Sequence, residues 1–233
     1  MRTFVIGDIH GYCSKLRKLL PQVRERAESG DALVFLGDYI DRGPDSRGVI
    51  ELVLELSLGG WDGPVTALRG NHELLMLDSL QKRPLYGFDA WMQNGGTETI
   101  ASYTGGNVSR KWVQSVPTSH LELLENLKDW HEDDNGIYVH AGLMPGERPE
   151  ESDPDTLLWV RDEFINSEYD WGKVVVFGHT PQYEEPTTLI LEPANLPWRP
   201  LNQPEKIGMD TGCAYGGPLS AVMLPDREFL STR

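Results

Sequence analysis

Short apolar runs alternate with longer amphipathic segments over the first third of the chain. Residues Thr3–Ile6, 32–36 and 65–68 are apolar runs of the length and composition that buried strands have. Between these runs, residues 12–28 and 46–58 carry apolar side chains at helical spacing, and glycines follow each segment. The order strand–helix–strand–helix–strand predicts parallel strands joined by crossover helices, which is the pattern of an α/β fold.

The middle of the chain is more polar, and its second half returns to short apolar runs. Residues 74–131 show helical spacing in several pieces, of which the last covers 119–130, and we expect this segment to flank a cleft. Prolines are frequent over 181–204, which predicts mainly loop. Further strands are predicted over 136–139, 173–177, 187–191, 206–209 and 219–224. Because no linker-like stretch divides the sequence, residues 1–233 are predicted to form a single domain.

Five of the predicted strands end in residues of the types that bind metal ions. These residues are Asp8 and His10, Asp38, Asn71 and His72, His140, and His179. Because side chains beyond the carboxyl ends of strands gather at one edge of an α/β sheet, the five segments would deliver them to one place. One such residue alone is more often a turn former or a helix cap, but five junctions in one chain favour a metal site.

The donor types in this set narrow the choice of metal. Imidazoles combined with carboxylate and amide oxygens suit Mn, Fe, Zn or Co better than Ca or an iron–sulfur cluster. The candidates outnumber the ligands that one ion needs, and a shared carboxylate would join two ions, which is the composition of a two-metal hydrolase. The two remaining histidines, His120 and His131, lie away from any strand end and are predicted to be surface residues.

Five motifs at these strand ends resemble, in the same order, those of the calcineurin-like metallophosphoesterases. They are GDIHG (7–11), GDYIDRG (37–43), GNHE (70–73), HAG (140–142) and GHT (178–180). More narrowly, they resemble the PPP-type serine/threonine protein phosphatases of the bacterial and phage branch, and DTGCAYGG (210–217) resembles that branch's C-terminal signature. The resemblance implies a four-layer α/β/β/α sandwich of two mixed sheets, with the metal ions at the carboxyl ends of the strands.

The resemblance also implies a pair of divalent metal ions and a set of ligands for them. Mn²⁺ is the expected metal, with Fe, Zn or Co as alternatives. A hydroxide shared by the two ions would attack phosphorus directly, so no cysteine or serine nucleophile would be needed. The implied ligands are Asp8 and His10 for the first ion, Asn71, His140 and His179 for the second, and Asp38 for both.

Further residues of the motifs receive roles from the same resemblance. His72 would donate a proton to the leaving group, and Asp41 would orient its ring, unless Asp41 simply pairs with its neighbour Arg42. Arg42 and Arg161 are the candidates for binding phosphoryl oxygens, since guanidinium groups match that geometry. The alternative for Arg161 is a surface ion pair with the acidic residues that follow it.

Three more residues near the motifs are noted. Glu73 is expected to have a structural hydrogen-bonding role, whereas Arg69 and Tyr215 receive no role from the sequence.

Composition and charge exclude several classes of partner. The formal net charge of −15 argues against a nucleic-acid binder and against contact with an anionic membrane. No signal peptide and no apolar run of the ~18 residues that a membrane helix needs is visible. Cys13 and Cys213 form no framework or CxxC motif, so both are predicted to be reduced thiols in a cytoplasmic bacterial protein. The sequence carries no signal for an oligomeric state.

The function predicted from these residues is that of a metal-dependent phosphoprotein phosphatase. Its substrates would be proteins or peptides phosphorylated on serine or threonine, with phosphotyrosine as a further option. The alternative is a symmetrical bis(5'-nucleosyl)-tetraphosphate hydrolase, a branch that often lacks the histidine and aspartate corresponding to His10 and Asp41. A metal-binding scaffold without catalysis and a cyclic-nucleotide phosphodiesterase are the remaining hypotheses.

Overall fold

The computed structural model describes residues 1–81, 83–107, 111–184 and 193–232, and these fold around two mixed β-sheets. The first sheet has the order β10–β9–β1–β2–β3, and the second has the order β4–β5–β6–β8–β7. In the first sheet the parallel strands β1, β2 and β3 extend to one edge, and β9 and β10 add antiparallel pairs on the other side. In the second sheet the parallel strands β5, β6 and β8 form the centre, and β4 and β7 are antiparallel edges. The strands of the described residues are β1 (Thr3–Ile6), β2 (Ala32–Phe35), β3 (Val65–Ala67), β4 (Trp130–Glu132), β5 (Ile137–Val139), β6 (Val175–Phe177), β7 (Leu201–Asn202), β8 (Lys206–Gly208), β9 (Ser220–Leu224) and β10 (Glu228–Ser231).

Alternating side chains on each central strand divide the core into layers. In β1, Phe4 and Ile6 pack towards the helices on the outer face of the first sheet, whereas Val5 packs between the sheets with Tyr138 and Val176. The outer face of the second sheet packs against the two last helices. This arrangement confirms the predicted four-layer α/β/β/α sandwich. The described helices are α1 (Cys13–Arg26), α2 (Ser46–Glu55), α3 (Asn71–Asp78), α4 (Gly87–Trp91), α5 (Thr97–Thr104), α6 (Thr118–Glu125), α7 (Pro154–Trp159) and α8 (Asp162–Ile165).

The middle segment is less uniformly helical than the sequence predicts. Helices α3 to α6 lie within it, and they share a buried apolar cluster with α1 and α2. The predicted helix over 119–130 ends earlier, because the chain extends again to pair β4 with β5. The strand predicted over 187–191 lies outside the described residues. None of the helices in the described ranges combines the length and apolar composition that a bilayer crossing requires.

The prediction that His120 is a surface residue is wrong. His120 is only 4% exposed, and its Nδ1 lies 2.9 Å from the hydroxyl of Tyr103, so α5 and α6 bury it between them. His131 is partly exposed on the edge strand β4, where its ring stacks on Tyr138 with a centroid distance of 5.8 Å.

Candidate metal centre

The sequence-predicted ligands converge at the carboxyl ends of β1, β2, β5 and β6 and at the first turn of α3. The chain turns sharply at this edge, and three of the candidate ligands, His10, Asp38 and His179, have φ values of 47°, 51° and 62°. Non-glycine residues seldom adopt such left-handed conformations, and those that do cluster at functional sites. The approach of the strands is also close, because a β-carbon on Gly178 would overlap the carboxylate of Asp8. The local backbone is therefore shaped to bring these side chains together.

Asp38 lies between two groups of imidazoles. Its Oδ2 is 3.4 Å from Nε2 of His10 and 4.0 Å from Nε2 of His72, and its Oδ1 is 3.5 Å from Nε2 of His140. The ligand atoms of His10, Asp38 and His72 all lie within 4.8 Å of one another, as do those of Asp38, His140 and His179. A carboxylate with one oxygen turned to each group is the arrangement that a bridging ligand requires.

Asn71 completes the second group. Its Oδ1 is 3.0 Å from Nε2 of His140 and 3.0 Å from Nδ1 of His179. One amide oxygen thus faces a ring nitrogen from each of β5 and β6, and all three side chains are buried. The three donors converge as ligands of one ion would.

Two buried polar atoms at this edge have no hydrogen-bond partner among the described residues: Asp8 Oδ1 and His179 Nε2. The other oxygen of Asp8 accepts a hydrogen bond of 2.9 Å from the backbone N–H of His179. Buried polar atoms are almost always paired, so the orphaned carboxylate oxygen of Asp8, which lies among the other candidate donors, indicates a place for a cation. The residues present therefore fit a divalent metal pair.

The protonation of the imidazoles also suits metal binding. Burial lowers the pKa of His10, His140 and His179, the last to about 2, so these rings are neutral at pH 7. Nδ1 of His10 lies 3.0 Å from the carbonyl of Ile40, and Nδ1 of His140 lies 2.8 Å from that of Leu36. Donation to these carbonyls leaves a lone pair on each Nε2, which faces Asp38.

The pKa values of the Asp38 and Asp8 carboxylates shift in opposite directions. Burial opposes ionisation of Asp38, but the surrounding imidazoles, His140 first among them, hold its pKa below the ordinary value. Asp8 has the opposite shift, because burial and the nearby charges of Asp210 and Asp38 raise its pKa. A bound cation would relieve this repulsion between buried carboxylates.

His72 differs from the other imidazoles of the site in that its ring is hydrogen-bonded to a buried carboxylate, that of Asp41. Its Nδ1 lies 2.7 Å from Asp41 Oδ2, and the fully buried Asp41 also accepts hydrogen bonds from Trp91 Nε1 and Thr99 Oγ1. Burial opposes protonation of His72, but the charges of Asp38 and Asp41 outweigh it and raise the pKa of the ring. Helices α4 and α5 thus hold the aspartate that orients His72, which ties the middle segment to the site.

The guanidinium of Arg42 lies against two of the imidazoles. Its Nη1 is 2.8 Å from Nε2 of His10, and its Nη2 is 2.9 Å from Nε2 of His72. These contacts use the lone pairs that a metal ion on His10 or a transferable proton on His72 would occupy. Arg42 can therefore serve the site in its predicted role only when the guanidinium turns away from the two rings.

Arg161 and Arg69 differ in their surroundings. Arg161 Nη1 lies 3.4 Å from Thr180 Oγ1, and its positive charge contributes to the lowered pKa of His179, so it stands at the edge of the second group. Arg69 instead forms an ion pair of 2.9 Å with Asp129 and reaches the carbonyl of Leu127. These contacts connect the end of β3 to the segment after α6 and engage the guanidinium, which favours a structural role for Arg69.

Glu73 organises the loops that carry the ligands. Its carboxylate accepts hydrogen bonds of 2.9 Å from the backbone N–H groups of Gly70, Asp38 and Tyr39, and one of 3.3 Å from that of Ile40. One side chain thereby holds the turn after β2 against the start of α3. Burial, with the charge of Asp38, raises the pKa of Glu73 to about 8.

Asp210 is a residue of this site to which the sequence reasoning gave no role. It is buried, its charge raises the pKa of Asp8, and burial raises its own pKa to about 6. It follows β8 just as the candidate ligands follow their strands. The pattern that identified the other candidate ligands, a metal-binding residue type just after a strand, therefore occurs at Asp210 as well.

A model of the calcineurin-like phosphoesterase family matches residues 1–218. The chain belongs to this family. The family resemblance of the five motifs is thus confirmed, and the dinuclear divalent metal centre of calcineurin-like phosphoesterases fits the Asp and His groups described above.

Relatives within the family carry different activities in their names. The chain is 30% identical to an asymmetrical bis(5'-nucleosyl)-tetraphosphatase, PrpE, of Oceanobacillus iheyensis, over 99% of this chain and 92% of the relative. It is 29% identical to serine/threonine-protein phosphatase 1 of Salmonella typhimurium, over 95% of this chain and 91% of the relative. A crystal structure whose name proposes a diadenosine tetraphosphatase is 25% identical, with a TM-score of 0.66, and the match covers 99% of this chain and 92% of that one.

Proposed function

We propose that this phosphoesterase hydrolyses bis(5'-nucleosyl) tetraphosphates with two divalent metal ions, Mn²⁺ being the expected metal. The observation that carries the proposal is the match to the tetraphosphatase of Oceanobacillus iheyensis, which extends over almost the full length of both chains. The crystal structure named for a diadenosine tetraphosphatase supports the same substrate class. The proposal reverses the order of the two functions that the motifs alone favour.

The positive groups at the cleft suit a substrate with several phosphates. Arg42 and Arg161 approach the candidate ligands from different sides, since one contacts His10 and the other contacts Thr180, next to His179. A phosphoryl oxygen can replace the two imidazole nitrogens as the partner of Arg42, and charge-assisted hydrogen bonds of this kind are among the strong ones. In a protein with a net charge of −15, such local cations are needed to hold a polyanion.

His72 is the residue that we assign to protonation of the leaving group. Its Nδ1 is bonded to Asp41, so its Nε2 is the nitrogen that faces Asp38 and the space between the candidate ligands. Because the pKa of the ring is raised, the ring can carry a proton on Nε2 and donate it to the oxygen that leaves phosphorus. Two bound metal ions would supply Lewis acidity towards phosphoryl oxygens and water.

The test compares three substrates on the purified protein, stripped of metal and reloaded with Mn²⁺. Diadenosine tetraphosphate should have a higher kcat/KM than a panel of phosphoserine and phosphothreonine peptides or p-nitrophenyl phosphate. Chromatography of the products identifies the cleaved bond, since two ADP molecules indicate symmetrical cleavage and AMP with ATP indicates asymmetrical cleavage. A higher kcat/KM for any phosphopeptide would reject the proposal in favour of a protein phosphatase.

The protein phosphatase remains a second candidate because of the His72–Asp41 pair. A serine or threonine alkoxide is a poor leaving group and requires a proton donor, whereas a nucleotide phosphate leaves more easily. The 2.7 Å contact between His72 and the buried Asp41 supplies such a donor. The relative from Salmonella typhimurium bears the name of that activity.

A further inference from the structure

Three aromatic side chains contact one another, and one of them, Tyr215, also contacts Arg42 at the candidate metal centre. Tyr183, Trp198 and Tyr215 form what we call the aromatic platform. The rings of Trp198 and Tyr215 are nearly parallel, with an interplanar angle of 14° and a centroid distance of 6.2 Å. Tyr183 contacts Trp198 edge to face at 5.5 Å. Tyr183 and Tyr215 remain 45% and 38% exposed, so the platform presents aromatic surface to solvent.

Arg42 connects the platform to the candidate ligands. Its Cζ lies 5.5 Å from the centre of the Tyr215 ring, and its two terminal nitrogens contact His10 and His72. The guanidinium therefore has the platform on one side and the metal centre on the other. A phosphate bound by Arg42 would therefore sit on the cation that contacts Tyr215 of the platform.

The turn that carries Tyr215 is held rigidly. Gly212 and Gly216 adopt φ values of 69° and 92°, and the N–H of Tyr215 donates to the carbonyl of Gly212 at 2.8 Å. Lys15 Nζ donates to the carbonyls of Cys213 at 2.9 Å and Gly217 at 2.7 Å, which ties the turn to α1. Tyr215 is thus fixed beside the site before any ligand arrives, which lowers the entropic cost of binding.

Trp198 is positioned by the same turn. A β-carbon at Gly212 or Gly217 would collide with its indole, so the turn packs directly against the ring. The Nε1–H of Trp198 donates to the carbonyl of Pro193 at 2.9 Å, which fixes the ring from its other edge. Two neighbouring rings, each fastened through the backbone, form a prebuilt surface for a flat ligand.

We propose that the aromatic platform is a nucleobase subsite, on which the base of a nucleotide stacks while its phosphate binds at Arg42. The proposal rests on the proposed function and deepens it, because it assigns the recognition of one nucleoside of the substrate to Tyr215. Aromatic faces bind bases by stacking without regard to base identity. A base stacked on the aromatic platform would be joined through its ribose to a phosphate bound at Arg42, which contacts both Tyr215 and the candidate ligand His10.

The test measures binding of two ligands that differ only in the base. Isothermal titration calorimetry on the Mn²⁺-loaded protein would compare AMP with ribose 5-phosphate. We expect AMP to bind roughly tenfold more tightly, the size of one base–aromatic stack. Replacing Tyr215 with leucine should reduce this ratio to about one or two, whereas Tyr215→Phe should keep it, because phenylalanine retains the stacking face.

A matched control is available at the opposite end of the second sheet. Tyr169 is 43% exposed and contacts Trp171 edge to face, but it precedes the amino end of β6. Tyr169→Leu should therefore leave the AMP to ribose 5-phosphate ratio at its wild-type value. Equal affinities of the two ligands in the wild type, or a ratio that survives in Tyr215→Leu, would overturn the subsite.

The two proposals can fail separately. The calorimetric ratio does not depend on hydrolysis, so it is obtained even if diadenosine tetraphosphate is not cleaved. A high ratio that collapses in Tyr215→Leu, together with no cleavage of the dinucleotide, would retain the subsite and reject the proposed function. Cleavage of the dinucleotide with equal affinities for AMP and ribose 5-phosphate would retain the function and reject the subsite.

Discussion

The two ends of the central strands hold polar clusters of opposite character. At the carboxyl ends, Asp8 Oδ1 and His179 Nε2 lack partners among the described residues, and three candidate ligands, His10, Asp38 and His179, have positive φ values. At the amino ends, Asp133 Oδ2 accepts from Thr3 Oγ1 at 2.6 Å, and Asp133 Oδ1 accepts from the Tyr138 hydroxyl at 2.8 Å. The same strands, β1 and β5, contribute to both clusters. One cluster stabilises the fold, and the other leaves donors free for a ligand.

The largest effect at the carboxyl-end cluster is expected when asparagine replaces Asp38. Because both of its oxygens face imidazole groups, Asp38→Asn should lower kcat/KM by at least about a thousandfold. The melting temperature measured in EDTA should fall only modestly, because losing the imidazole contacts that hold the pKa of Asp38 down is partly offset by losing its repulsion of Asp8. Activity, metal content by mass spectrometry and thermal unfolding together check the prediction. A large loss of stability with metals retained would mean that Asp38 is a structural residue.

A smaller effect is expected from His72→Ala, and its size should depend on the leaving group. Loss of a general acid costs about a hundredfold or more when the leaving group needs a proton. The loss should therefore be large for phenyl phosphate and small for p-nitrophenyl phosphate, whose leaving group needs little help. Metal content should stay at the wild-type level, because the six implied ligands remain. Equal losses on both substrates would exclude the acid role of His72.

The strand ends explain why so much of this site follows from the sequence. Strands such as β1 are short and apolar, and a polar residue such as Asp8 or Asp38 follows within three residues of the strand end. Local composition thus marks both the strand and the residues at its end. Asp210 shows the same signal after β8, but the resemblance supplied no role for it.

Other features depend on contacts between distant residues and could not be predicted in this way. The edge strand β4 is three residues long, and its extended conformation comes from pairing with β5. Burial of His120 depends on Tyr103, which belongs to a different helix. The contact between Arg42 and Tyr215 joins residues that are far apart in the sequence. Neither helical spacing nor motif spacing contains information about such pairs.

The smallest effect in this series concerns the amino-end cluster, and it should appear in stability alone. Asp133 also accepts hydrogen bonds from the backbone N–H groups of Asn135 and Gly136. Asp133→Ala would leave these donors and the two hydroxyl groups without their acceptor, which should cost about 2 kcal/mol of unfolding free energy. For a chain of this size, the melting temperature should fall by roughly 4–8 °C. Activity at 25 °C should stay within about twofold of wild type, since stable packing at the carboxyl ends is untouched.

Thr3→Val tests whether the stability lost in Asp133→Ala comes from the hydrogen bond between Thr3 and Asp133, which joins the two sheets. Thr3 begins β1 in the first sheet, whereas Asp133 lies in the turn between β4 and β5 of the second. If their hydrogen bond joins the sheets, Thr3→Val and Asp133→Ala should be less than additive, with a coupling energy of about 0.5–1.5 kcal/mol in chemical denaturation. Additive losses would show that each residue acts through other partners. A fall in kcat/KM in the Asp133 variant would contradict the division between a stabilising end and a functional end, because damage at the amino ends would then reach the metal centre.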